Sequence, residues 1–258
     1  MRDIIVVVPC YNEGKRLRPD AFCRALQEQD ALQLIFVNDG STDSTQEILE
    51  RLRDEFPARV ELLSLYPNSG KAEAVRIGLR RAIERRPDLV GFWDADLATP
   101  LSDIRVFQDL LQSNQELLAV IGARVQLLGR HVERRALRHY LGRVFATAAS
   151  ALLDLRVYDT QCGAKLFRNC DEVARLFDSP FVARWSFDVE ILARLVRDRR
   201  RAGRDDTKHL VYEHPLERWT DIAGSKVRAR DFFRAFVELW RIGRTTGLLP
   251  RRPVSSHG

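Results

Sequence analysis

The stretch LVGFWDADLATP, residues 89–100, decides how the rest of the chain is read. An apolar run (Leu89, Val90, Phe92, Trp93) stops abruptly at Asp94-Ala95-Asp96, and Thr99-Pro100 follows. The run has the composition of a buried strand, and in an open α/β sheet ligands bind at the carboxyl ends of strands. Two carboxylates one residue apart can converge on one hard cation, and Mg²⁺ and Mn²⁺ prefer oxygen ligands that they share with substrate phosphates. An Asp-x-Asp pair can equally form a turn in which both side chains bond local backbone.

Outward from this stretch, strand and helix signals alternate. Strands are predicted at 4–8, 34–37, 60–65, 89–93 and 118–122. Helices are predicted at 19–29, from a capping box at Ser44-Thr45-Gln46-Glu47, from Gly70 to the breaker Pro87, and after Pro100. The continuous β-branched run at 4–8 marks a strand covered on both faces. This β-α-β-α order implies an α/β fold with a doubly wound, mostly parallel sheet. The second half is less regular. It offers helices at 132–153 and 186–200, an edge strand within 207–217 limited by Pro215, and a basic amphipathic helix at 229–243. One domain is expected over 1–248, in halves 1–125 and 126–248, followed by a flexible tail at 249–258.

The chain has 258 residues, 45% hydrophobic and 30% charged, enough for a sizeable core. Its net charge of +6 and sequence pI near 9.4 favour anionic partners. Four cysteines (Cys10, Cys23, Cys162, Cys170) form no Cys-x-x-Cys pair and no zinc-type spacing, so reduced thiols and a cytoplasmic location are expected. No leader peptide is evident, and no apolar run reaches the ~18–20 residues that span a bilayer. An aromatic-and-basic strand platform is also missing, so no nucleic-acid partner is expected.

Each strand of the first half ends in polar or glycine-containing residues: Pro9-Cys10-Tyr11-Asn12-Glu13, then Asn38-Asp39-Gly40, then Asn68-Ser69-Gly70-Lys71, then the Asp pair, then Gly122-Ala123-Arg124. Gathered along one sheet edge, these suggest a nucleotide-diphosphate pocket. Asp39 could accept bonds from a base or ribose, or simply form an Asx turn. Lys71 at a helix start could meet a phosphate or remain solvated. Arg124 could neutralise a diphosphate bidentately. Gly70-Lys71-Ala72 lacks the upstream glycine and following Ser/Thr of a P-loop, and no Gly-x-Gly-x-x-Gly follows the first strand, which excludes a dinucleotide-binding fingerprint.

VVVPCYNEGKRL, IFVNDGSTDST, NSGKAEAVRIGL and FWDADLATP resemble the donor-binding motifs of family 2 glycosyltransferases with the GT-A fold. IGAR (121–124), YDTQCGAKLFR (158–168), WSFDVEIL (185–192) and GSKV (224–227) are similar to the dolichyl-phosphate β-glucosyltransferase and polyprenyl-phosphate glycosyltransferase branch. The resemblance implies that 1–125 is a Rossmann-like nucleotide-sugar-binding half and 126–248 an acceptor half. It implies inverting transfer of a hexose, glucose from UDP-glucose, to a polyprenyl or dolichyl phosphate, with GDP-mannose an alternative donor. Pro9, Tyr11, Glu13, Asp39, Lys71, Asp94, Ala95 and Asp96 would then line the donor. Asp94 and Asp96 would hold Mg²⁺ or Mn²⁺, Arg124 would assist the leaving nucleoside diphosphate, and Asp159 would be the carboxylate near the acceptor. Arg134, Arg135, Gln161, Lys165, Trp219 and Lys226 would border that acceptor.

The acceptor decides what Asp159 must do. A sugar hydroxyl needs a positioned general base. A polyprenyl monophosphate is already largely anionic at neutral pH and needs none, so there Asp159 would orient rather than abstract. A soluble glycan acceptor is the enzymatic alternative, and a nucleotide-sugar-binding module without turnover the non-enzymatic one. Asp188 and Glu190 read as anchors of a helix start. Relatives in this branch carry transmembrane helices, whereas this sequence offers the helix at 229–243. That helix either lies at the inner face of a membrane, arginines on anionic head groups, or docks onto the domain through its aromatic stripe; a membrane partner protein is a third route to the lipid.

Overall fold

Apolar residues that alternate along the strands are sorted by the sheet into two layers. The computed structural model describes residues 3–125, 131–133, 136–220 and 229–249. The first half runs β1 (Ile4–Cys10), α1 (Pro19–Glu28), β2 (Leu32–Asp39), α2 (Thr45–Glu55), β3 (Val60–Leu65), α3 (Lys71–Glu84), β4 (Leu89–Trp93), α4 (Asp103–Ser113) and β5 (Ala119–Ala123). The second half runs β6 (His131–Glu133), α5 (Ala136–Leu153), β7 (Ala164–Arg168), α6 (Asp171–Ala174), α7 (Phe187–Arg201), α8 (Thr207–Leu210), β8 (Val211–Pro215), β9 (Arg218–Thr220) and α9 (Ala229–Thr246).

The main sheet has seven strands in the order β3-β2-β1-β4-β7-β5-β8. On one face Ile4, Val6 and Val8 pack with Phe22, Leu26, Leu49 and Phe107 from α1, α2 and α4. On the other, Ile5 and Val7 pack with Val75 and Leu79 of α3 and Phe187 and Ile191 of α7. Coverage on both faces is why β1 and β4 read as unbroken apolar runs. α7 is buried almost all round: Val189, Leu192 and Val196 turn away from the sheet to meet Phe145 and Ala149 of α5 and Ala235, Leu239 and Ile242 of α9.

The doubly wound first half forms as its periodicity predicts, with element ends shifted by a residue or two. Two local expectations need correction. Ser44 precedes α2 without a side-chain cap bond; the Asp43 carboxylate does that work, accepting from the Thr45 N–H (3.0 Å) and hydroxyl (2.5 Å). The region 132–153 is not all helix, because residues 131–133 pair in parallel with 218–220 as a small second sheet. The larger omission is β7, which runs antiparallel to both β4 and β5 and separates them. A lysine at the second position of AKLFR hides its strand character, and Lys165 is nonetheless 1% exposed.

This insertion sets the site. β1 to β4 are parallel, so their carboxyl ends share one sheet edge. β7 runs the other way and begins there, while β5 and β8, parallel to each other and opposed to β7, end there. The residues after β1, β2, β3, β4 and β5 and those before β7 therefore meet along a single rim.

α9 docks through Ala235, Leu239 and Ile242, and of its aromatic residues Phe236 meets Phe145 of α5 edge to face. Among the described residues no helix is long and apolar enough to cross a membrane. Arg134, Arg135, Lys226 and residues 250–258 of the expected tail lie outside the described residues.

Candidate active site

The rim is built from the β4 end. Trp93 is fully buried against Phe107, and its Nε1–H donates to the Thr99 carbonyl (2.9 Å), which folds the loop back over the strand end. Leu97 takes φ 52°, a left-handed value rare outside glycine. That turn lets the Ala98 N–H donate to Asp96 Oδ1 (3.1 Å). The β4–β7 register continues one step past Trp93, where the Asp94 N–H donates to the Gly163 carbonyl (2.8 Å). Gly163 leaves room for the Asp94 carboxylate, since a Cβ there would stand 1.9 Å from Asp94 Oδ2 and displace it.

Three carboxylates gather here. Burial raises the Asp96 carboxyl, and Asp94 adds to it. Burial also raises Glu13; Arg16 lowers it again, through a 2.5 Å ion pair, and Asp96 and Asp94 push it up. Glu13 Oε2 is buried with no hydrogen-bond partner among the described residues. Lys71, the first residue of α3, reaches Asp94 Oδ1 at 2.5 Å. Partial burial works against its charge, but Asp94, Asp188 and Asp96 outweigh it and hold the ammonium above the usual lysine range.

No group of three or more His, Cys, Asp or Glu side chains forms a metal cage among the described residues. The donor set nonetheless fits a hard divalent ion that takes one or two carboxylates and completes its shell with phosphate oxygens and water. The push of Asp96 and Asp94 on Glu13 and the orphaned Glu13 oxygen describe an anionic cluster that a further cation would settle.

Asp39 lies one loop away and is turned inward, 2% exposed. Its carboxylate accepts the N–H groups of Ser69 (2.7 Å) and Gly70 (2.8 Å) and the Asn68 side-chain amide (2.9 Å). It thereby pins the loop that launches α3 and aims Lys71; Gly70, at φ 90°, supplies the turn. Pro9 closes β1 beside Val37, Tyr11 stands exposed at the rim, and Ala95 is buried between the two aspartates. The β1 and β2 loops are stitched together: Asn12 Oδ1 accepts the Thr42 N–H (2.8 Å), and the Glu13 N–H donates to the Thr45 hydroxyl (2.8 Å).

Across the rim, Arg124 grips Asp159. Its Nε–H donates to Oδ2 (2.5 Å), its Nη2–H to Oδ1 (2.8 Å), and its backbone N–H to Oδ2 (3.1 Å). The Gln161 N–H adds a fourth bond to Asp159 (3.2 Å). Trp219 stacks under the Arg124 guanidinium, 5.3 Å from ring centre to Cζ. Glu213 on β8 accepts the N–H groups of Tyr158 and Asp159 (both 2.8 Å), so three chain segments fix this one carboxylate.

Lys165 does not reach an acceptor surface. Its Nζ–H donates to Asp188 Oδ1 and to the Cys162 carbonyl, both at 2.5 Å, inside the core. Asp188 therefore holds more than a helix start: it balances Lys165 below and Lys71 above. Glu190 accepts the N–H groups of Val182 and Ala183 and pairs with Arg194, a structural knot. Gly163 and Glu213 escaped sequence reasoning. The glycine's need appears only once β7 is placed beside β4, and a lone glutamate in an edge strand gives no signal of its partner.

A profile described as Glycosyl transferase family 2 matches residues 5–170. A dolichyl-phosphate beta-glucosyltransferase of Trichomonas vaginalis is 33% identical over 250 residues, 92% of this chain and 69% of its own length. The Drosophila melanogaster dolichyl-phosphate beta-glucosyltransferase is 32% identical over 278 residues, 93% of this chain and 77% of that protein. Among solved structures, the Mycobacterium tuberculosis glucosyl-3-phosphoglycerate synthase in complex with Mn²⁺ and UDP-glucose superposes with a TM-score of 0.67 at 17% identity, covering 97% of this chain and 80% of that one. At that identity the likeness speaks for the fold, which is GT-A.

Proposed function

The chain belongs to glycosyl transferase family 2 and is a glycosyltransferase, and from that premise we propose that it transfers glucose from UDP-glucose to a polyprenyl phosphate of the dolichyl type, with inversion. The observation that carries the acceptor half is the Arg124–Asp159 pair. A carboxylate with both oxygens engaged by a guanidinium and two backbone N–H groups, 6% exposed, is built to orient its arginine rather than to abstract a proton. A lipid phosphate needs no abstraction. The extended identity to dolichyl-phosphate beta-glucosyltransferases supports the same acceptor.

In this reading Asp94 and Asp96 hold a Mg²⁺ or Mn²⁺ ion, which when bound supplies Lewis-acid stabilisation of the charge on the departing UDP. The solved relative's complex with Mn²⁺ and UDP-glucose supports that assignment. Lys71 positions Asp94 and adds positive charge at the diphosphate. The loop fixed by Asp39 receives the uridine side. Arg124 faces the developing charge from the other wall. An acceptor phosphate oxygen attacks the anomeric carbon as the bond to the UDP oxygen breaks on the opposite face, so one bond forms, one breaks, and no proton moves.

The test supplies UDP-glucose, Mn²⁺ and either a short polyprenyl phosphate or the matching prenyl alcohol. Glucosylated phosphate as the sole product is expected. Product from the alcohol or a soluble sugar alone would refute the lipid-phosphate assignment, and failure of Mn²⁺ removal to abolish turnover would refute the metal's part.

A further inference from the structure

α9 is an amphipathic helix that spends its apolar residues on two faces. Ala235, Leu239 and Ile242 face inward. The helix is also locked in rotation, because the Glu238 carboxylate accepts the N–H groups of Arg184 (3.1 Å), Trp185 (3.1 Å) and Ser186 (2.7 Å) at the approach to α7. What remains outside is aromatic: Phe233 is 74% exposed, Trp240 58% and Phe236 38%. Spaced by three and four residues, they form one stripe. Trp185, held by Glu238, adds another exposed ring, and exposed Val144 follows beside Phe145, which touches Phe236. Single exposed apolar residues are ordinary; a contiguous stripe on a helix that already has a buried face marks an interaction surface.

The charge on that face points to the partner. Arg234 and Arg241 flank the stripe, exposed, and the Arg244 guanidinium sits 5.6 Å over the Trp240 ring. The arc from Phe236 round to Arg234 carries no carboxylate. A second copy of the chain would bring arginine against arginine across a two-fold axis. An anionic bilayer answers both halves, with rings at the headgroup–acyl boundary and guanidiniums on lipid phosphates. Location agrees as well: Trp185 leads directly into the start of α7, whose Asp188 pairs with Lys165, two residues on from Gly163, which meets Asp94 at the rim.

We propose that the outward face of α9, with Trp185 beside it, seats this protein on anionic lipid bilayers and presents the rim to lipid-borne phosphate. The presentation rests on the function proposed above, whereas the seating stands on the helix itself.

The experiment co-sediments the full chain, without sugar donor, with phosphatidylcholine vesicles containing either no anionic lipid or about 30 mol% phosphatidylglycerol. Binding to the anionic vesicles is expected, with a blue shift of tryptophan emission. Both Phe233→Ser/Trp240→Ser and Arg234→Glu/Arg241→Glu should lose about tenfold or more in partitioning. The thermal midpoint of the aromatic variant should match the parent, since Phe233 and Trp240 are exposed. Equal or absent binding to both vesicle types, undiminished binding by the aromatic variant, or a dimer that the aromatic variant dissolves would overturn the seating. Vesicle binding without any transfer to polyprenyl phosphate would refute the acceptor assignment alone. Transfer to a detergent-solubilised short prenyl phosphate with no vesicle binding would overturn the seating alone.

Discussion

Replacing Gly163 by alanine tests, with a single methyl group, how the proposed donor site is held. A Cβ at that position would lie 1.9 Å from Asp94 Oδ2, 2.1 Å from its Cγ and 2.5 Å from Oδ1, where real contacts stay beyond 3.0 Å. The carboxylate must therefore retreat by more than about 1 Å, and a misplacement of ~1 Å at a reacting centre costs on the order of 10²-fold in rate. That equals about 2.7 kcal/mol of transition-state stabilisation. The obstacle is the end of a flexible side chain, not backbone, so the fold should absorb the change by swinging Asp94 and loosening its ion pair with Lys71. Stability should fall by no more than about 1 kcal/mol, a shift of roughly 2–4 °C for a chain of this size. Initial rates of UDP release with Mn²⁺ and short polyprenyl phosphate give kcat/KM, and thermal unfolding gives the fold control. Asp94→Asn should lose as much or more, and the double variant should lose little beyond Asp94→Asn, because both act on one carboxylate. Wild-type kcat/KM in Gly163→Ala, or a loss that adds in full to that of Asp94→Asn, would refute the claim that Gly163 acts by making room for Asp94.

The buried Lys165–Asp188 pair makes a different forecast: Lys165→Met should cost about 3–5 kcal/mol by stranding a carboxylate, and Lys165→Met/Asp188→Leu should recover most of it in thermal unfolding. Asp159→Asn should lower kcat by loosening Arg124 while leaving the acid limb of the pH–rate profile in place, since in the proposed reaction that limb belongs to the acceptor phosphate with its pKa near ~6; disappearance of the limb would make Asp159 a base. Asp103, at the start of α4, is raised by burial to about 6. A carboxyl raised on folding binds its proton more readily in the folded state, so its contribution is fully present below about 3.9 and is lost as pH rises through about 6. Asp103→Asn should therefore gain thermal midpoint over the parent at pH 7 and lose that gain by pH 4.

The first half of the sheet was legible because both of its faces are covered. Residues 4–8, 34–37 and 89–93 are unbroken apolar runs, each ending in a polar cluster, and parallel order follows from the helices between them. The second half was obscured by charge that folds inward. Lys165 breaks the apolar pattern of β7, yet it is buried because Asp188, 23 residues on, neutralises it. No local signal pairs residues so far apart. Asp39 shows a second limit: its position at a strand end pointed to a ligand, and three of the bonds its carboxylate accepts come from the loop at Asn68, Ser69 and Gly70. For α9, the count of aromatic residues was visible in sequence, but which arc faced the domain depended on Glu238 meeting the amides of 184–186.

The Arg124–Asp159 clasp joins the exit of β5 to the approach of β7, so the chain leaves and re-enters the sheet through one knot. Everything between is an excursion with fastened ends. Closing a longer loop costs only about 0.6 kcal/mol per doubling of its length. The links that flank α5 can therefore change length at small cost while α5 itself stays packed on α7 and α9 and the strands at either end of the excursion keep register.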